Sequence, residues 1–130
     1  MTEEQFKAAA KDRIKAIVNY ISQNEFDKLS AITLIERNWC GGDSGTQEEG
    51  IKSFAKWLKE QLDMWEEDFG HEFVVDPYDE KGLAIGSLEN GRSFATYNPT
   101  SHGEEIDFWF EIKLYLNEND ELISKFNINT

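Results

Sequence analysis

Between Ile106 and Leu116 every second residue is large and apolar. Ile106, Phe108, Phe110, Ile112, Leu114 and Leu116 alternate with Asp107, Trp109, Glu111, Lys113 and Tyr115. Successive side chains of a strand point to opposite faces. The stretch therefore predicts one long strand, with a buried face and an amphipathic face. A strand of this kind needs a cover for its apolar side, and the earlier half of the chain supplies candidates.

Thr2-Glu3-Glu4-Gln5 fits a capping box, with Thr2 as N-cap and Gln5 three residues on. A helix is predicted from there to about Gln23, with Phe6, Ala10, Ile14, Ile17, Val18 and Ile21 on one face. Asn24 ends it and is placed to cap a shorter helix from Glu25, with Phe26, Leu29 and Ile32 inward. Ala31 to Ile35 is rich in β-branched residues and reads equally as helix or strand. Three glycines in Trp39-Cys40-Gly41-Gly42-Asp43-Ser44-Gly45 predict a loop. Thr46-Gln47-Glu48-Glu49 is a second capping box. It opens the most regular helical pattern, in which Ile51, Phe54, Ala55, Leu58, Leu62, Trp65 and Phe69 follow one stripe and Gly70 ends it.

Beyond Gly70 the period becomes alternating. Glu72 to Val75, Leu83 to Leu88, Ser93 to Tyr97 and Glu121 to Asn129 are predicted strands, with Leu122, Phe126 and Ile128 sharing a face of the last. Asp76 to Gly82 carries turn chemistry, and Asn90-Gly91 between apolar strands is a strong hairpin signal. Asn98 to Gly103 is expected simply to lead into the long strand, and Asn117 to Asp120 to turn it back. With no repeat or linker, the prediction is one α+β domain over residues 1–130: N-terminal helices packed on a C-terminal antiparallel meander. This element order resembles that of cystatin-like and nuclear-transport-factor-2-like proteins, and the resemblance implies a helix nested in a bent sheet.

Charge separates the two halves of the chain. Residues 1–40 hold six basic and six acidic residues, whereas the remaining ninety hold seven and twenty, the whole of the net −13. Glu60 to Glu80 contains nine acidic residues and neither Lys nor Arg. Such a field disfavours nucleic acid and anionic membranes as partners and favours basic ones. The absence of a long apolar run and the single Cys40 lead to the expectation of a cytoplasmic protein without disulfides. In size, charge and lack of a catalytic motif the chain resembles the immunity proteins of bacterial toxin systems. That resemblance implies a non-catalytic inhibitor of a basic protein, and it carries no binding residues with it.

Residue chemistry limits the candidate sites. Gly42-Asp43-Ser44-Gly45 echoes the nucleophile motif of trypsin-like proteases, but no histidine precedes Ser44 and its neighbours read as helices. Cys40 has no base placed beside it by sequence and reads as a structural thiol. His102, Glu104, Glu105 and Asp107, with Asp76 and Asp79, match no metal-ligand spacing, so no metal or cofactor is expected. On the predicted second long helix, Trp57 and Met64 lie off the apolar stripe beside Glu60, Asp63, Glu67 and Asp68. Carboxylates crowding a helix C-terminus oppose the helix dipole. These six residues are the expected site for a basic partner, unless the sheet covers Trp57 and Met64. The alternative is a ligand pocket between sheet and helices, using Asp76, Tyr78, His102 and Asp107. A third reading is a homodimer through the open sheet face, where Trp109 and Tyr115 would lie.

Overall fold

A computed structural model describes residues 1–35 and 46–129. The glycine-rich stretch with Cys40 and Ser44 lies outside the described residues. The first helix, α1 (Glu3–Ser22), starts at a complete capping box: the Thr2 hydroxyl accepts from the Gln5 N–H, and the Gln5 side chain accepts from the Thr2 N–H. Its six predicted inward residues are all buried. Asn24, with φ 58°, reverses the chain in the left-handed region rather than capping the next element. That element, Phe26–Ala31, is a 3-10 helix, and Leu29 is its buried residue. The ambiguous stretch then resolves into a two-residue strand, β1 (Leu34–Ile35).

Helix α2 (Gln47–Phe69) is capped by the Thr46 hydroxyl, which accepts from the Glu49 N–H, and ends at Gly70 with φ 74°. Its apolar stripe is buried only through Leu58. Leu62 and Trp65 are half-buried, and Phe69 is 66% exposed. The stripe thus leaves the core gradually, and its last residue, Phe69, lies outside it.

Five strands form the main sheet in the order β1, β7 (Leu122–Asn129), β6 (Trp109–Leu116), β3 (Arg92–Tyr97) and β2 (Leu83–Ile85). The β2–β3–β6–β7 part is the expected antiparallel meander, but β1 runs parallel to β7, so the sheet is mixed. The β2–β3 turn has Asn90 and Gly91 both at positive φ, closed by hydrogen bonds between Glu89 and Arg92 in both directions. That is the twist-matched hairpin turn expected of Asn-Gly.

Three strand expectations are corrected. The long alternating stretch is not one strand: its ladder begins at Trp109, and Ile106 to Phe108 join it irregularly. The approach to it is not a plain loop but a second hairpin, β4 (Thr100–Ser101) with β5 (Glu104–Glu105), turning at His102 and Gly103, both at positive φ. Glu72 to Val75 forms no ladder at all.

Both helices cover the sheet face bearing Phe110, Ile112 and Leu114, which are at most 1% exposed. Phe54 of α2 meets Phe126 and Phe110 edge-on, at ring distances of 5.0 and 6.4 Å. Tyr97, stacked on Phe110 at 6.2 Å, extends this aromatic core to β3. Arg13 ties α1 to the sheet by donating to the carbonyls of Ile32 and Leu122 and to the Ser124 hydroxyl. Gln47 fixes the other boundary. Its Oε1 accepts from the Ile35 N–H at 3.0 Å and its Nε2 donates to the Thr33 carbonyl at 2.7 Å, so one side-chain amide completes the outer edge of β1. Among the described residues, no helix is long and apolar enough to cross a membrane.

Candidate functional site

Helical spacing makes neighbours of Trp57, Glu60, Met64 and Asp68 along one line of α2, with Asp63 and Glu67 on the flank. Glu60, Asp63, Glu67 and Asp68 are exposed, and Met64 stands 45% exposed among them. Trp57 is half-buried and meets Phe108 edge-on at 5.6 Å. It is therefore shared between core and surface rather than a free-standing anchor. None of Glu60, Asp63, Glu66, Glu67, Asp68 and Glu72 forms an ion pair with a described residue. Ion pairs between described residues lie elsewhere, among them Glu80 with Lys11, Glu25 with Lys28, Glu48 with Lys52 at 3.4 Å, and Asp120 with the N-terminus at 2.6 Å. The C-terminal end of α2 is thus a negative, unneutralised surface. An aromatic group supports it from behind: Trp65 stacks on Phe108 at 5.8 Å, and Phe73 lies 5.8, 5.7 and 4.7 Å from the rings of Trp65, Phe69 and His71.

A hollow of about 660 Å³ opens between α2 and the segment 72–75. Phe26, Leu58 and Leu62 give it an apolar floor, and Asp63, Glu66 and Glu72 line its acidic part. Lys56 and Lys59 line the part nearer the α2 N-terminus.

Of the four residues of the alternative pocket, Asp76 and His102 meet in one turn. Asp76 is taken up by the β4–β5 turn: it accepts from the Thr100 hydroxyl at 2.7 Å, the Gly103 N–H at 2.9 Å and the His102 N–H at 3.0 Å. Partial burial pushes its pKa up, but these three hydrogen bonds outweigh that, and it lies below its usual value. Tyr78 instead stacks on Tyr97 at 5.5 Å, and burial raises the pKa of its hydroxyl. His102 and Asp107 are exposed. None of the four lines the hollow beside α2 or a smaller one of about 340 Å³ on the sheet. Among the described residues, no three His, Cys, Asp or Glu side chains gather as metal ligands would.

The open sheet face carries Trp109 and Tyr115, as their alternation requires. Trp109 Nε1 donates to Glu111 Oε1 at 3.2 Å, and Tyr115 is 36% exposed. Sequence reasoning missed two exposed residues of the same face, Phe94 on β3 and Leu34 on β1, each 44% exposed and separated across the sheet by Lys113 and Lys125. Leu34 was hidden by the ambiguity of its segment. Phe94 sits in a recognised strand, and the Ser93-Phe94-Ala95-Thr96-Tyr97 alternation would have placed it opposite Tyr97. Arg92, Lys113 and Lys125 border the smaller hollow on this face. Comparison of the chain with protein-family models, curated proteins and solved structures finds no match.

Proposed function

We propose that this is a non-catalytic binding domain that receives a basic protein on the acidic end of α2, in the manner of an immunity-type inhibitor. The observation that carries the reading is the set of unneutralised carboxylates around Met64, on the turns where the apolar stripe leaves the core. Concentrated like charge lowers the stability of the free domain and speeds encounter with a cation-rich surface. Exposed Met64 and half-buried Trp57 supply apolar contact once the charges have aligned the partner.

The test is a binding screen against basic bacterial protein domains, followed by kinetics at several salt concentrations. Reversing Glu60, Asp63 and Glu67 to Lys should chiefly slow association, and Met64→Ala should chiefly speed dissociation. The reading is lost if no basic domain binds, or if binding ignores these positions. The exposed Leu34, Phe94 and Tyr115 favour a second reading, association of two copies through the open sheet face. Sedimentation equilibrium of Tyr115→Glu against the parent would reveal it as the loss of a dimer.

A further inference from the structure

We propose that the hollow beside α2 is a binding site for a short apolar peptide with both termini free, its ammonium end at Asp63, Glu66 and Glu72 and its carboxylate end at Lys56 and Lys59. This goes beyond the reading of α2 as a surface for a basic protein, because the ligand is small and dipolar. Of the six residues expected to meet a basic partner, Asp63 alone lines the hollow. The hollow runs along the helix. Phe26 at one end meets Phe54 edge-on at 5.8 Å, and Phe73 at the other lies 5.8 Å from Trp65. Lys56 and Lys59 belong to the Phe54 end of α2. Asp63 and Glu66 belong to the Trp65 end, where Glu72 joins them beside Phe73. All five charged residues are exposed, and none forms an ion pair with a described residue. The lining is therefore polarised, positive to negative, along one axis.

Such a lining selects against ligands of a single sign. A cationic ligand long enough to fill it would set charge against Lys56 and Lys59, and an anionic one would meet three carboxylates. A zwitterion laid in one direction satisfies both ends. The span fixes its length: Lys56 and Glu66 lie about 15 Å apart along the helix axis. Four extended residues cover about 13–14 Å. The volume of about 660 Å³ lies in the range of pockets that take molecules of this size. Between the charged ends the walls are apolar. Half-buried Phe26, Ala55, Leu62 and Phe73 offer surface that small aliphatic side chains would cover. Ser22 and Asn24, from the end of α1 and the turn after it, also line the hollow and bring hydrogen-bonding groups for the ligand's amides.

The probe is an uncapped tetrapeptide of alternating valine and alanine, titrated into the full-length chain and followed by NMR. Saturable amide shifts are expected at Phe26, Leu62 and Phe73. N-acetylation and C-amidation of the peptide should each weaken binding roughly fivefold, the upper range for an exposed ion pair. Paired variants then read the orientation. Glu66→Gln with Glu72→Gln should abolish the penalty of acetylation and keep that of amidation. Lys56→Gln with Lys59→Gln should do the converse. Penalties assigned the other way round would reverse the peptide and overturn the proposal. Equal binding of the doubly capped peptide would show that an internal segment of a longer chain fits as well, and overturns it too. So does an absence of binding, or shifts confined to residues outside the hollow. A basic domain that binds where the tetrapeptide does not would leave the surface reading intact and strike this site alone.

Discussion

Phe110 touches the rings of Phe54, Tyr97, Phe108 and Phe126 and has no exposed surface. Phe110→Ala should lower stability by about 3–5 kcal/mol in a denaturant titration, since four rings cannot collapse into the space left. The two stacked tyrosines nearby should respond in opposite ways to loss of a hydroxyl. The Tyr97 hydroxyl accepts from the Asp79 N–H at 2.9 Å, whereas the buried Tyr78 hydroxyl has no hydrogen-bond partner among the described residues. Tyr97→Phe should therefore cost about 1–2 kcal/mol, while Tyr78→Phe should be neutral or stabilising. Trp57→Ala should cost about 1–3 kcal/mol through its contact with Phe108, which makes Met64→Ala the cleaner probe of binding. The sequence pattern placed Phe110 and the six α1 residues in the core because a regular period leaves little choice of face. It could not place Trp57, whose position off the stripe fits either core or surface until the path of Ile106 to Phe108 is known.

At the scale of elements, legibility followed hydrogen-bonding range. Helix N-caps and Asn90-Gly91 act within a few residues, and α1, the start of α2 and the β2–β3 hairpin were all legible, although only the Thr46 half of the second capping box forms. The parallel pairing of β1 with β7 spans about ninety residues and involves only two residues of β1, so no local pattern records it. The β4–β5 hairpin was missed because His-Gly is a weaker turn signal than Asn-Gly. Asp76, from outside the hairpin, supplies what the turn lacks by accepting from both turn amides. This arrangement predicts a pH effect. Because the folded-state pKa of Asp76 is depressed, its contribution is present above the unfolded value of about 3.9 and is lost as pH falls through the lower folded value. Amide shifts of His102 and Gly103 should titrate together with a midpoint below about 3.9; a midpoint at or above it would contradict the hydrogen-bond assignment.

Over the whole molecule the net charge of −13 acts against compactness. The unneutralised end of α2 concentrates that cost. Raising sodium chloride from low to physiological ionic strength should raise the thermal midpoint by about 2–5 °C in calorimetry. Reversing Glu60, Asp63 and Glu67 to Lys should shrink that gain, since much of the repulsion would already be relieved. The same three changes slow partner association, so stability and encounter rate should move in opposite directions across one set of variants. The candidate surface was legible as composition, a run of acids on a helix. That the last turn leaves the core was not, because the regular apolar stripe continues through Phe69.

The Gln47 amide has a kinetic consequence. It belongs to the first turn of α2, where helix ends fray, yet it holds the outermost backbone groups of the sheet. Each fraying event would release the Ile35 N–H and the Thr33 carbonyl together and expose a strand edge able to recruit another chain. The rate of fibril seeding would then follow this brief local excursion rather than global unfolding. Gln47→Leu, with a side chain of similar size but no amide, leaves two buried backbone groups unpaired, so it should lower stability by about 1–3 kcal/mol in a denaturant titration and shorten the lag before aggregation.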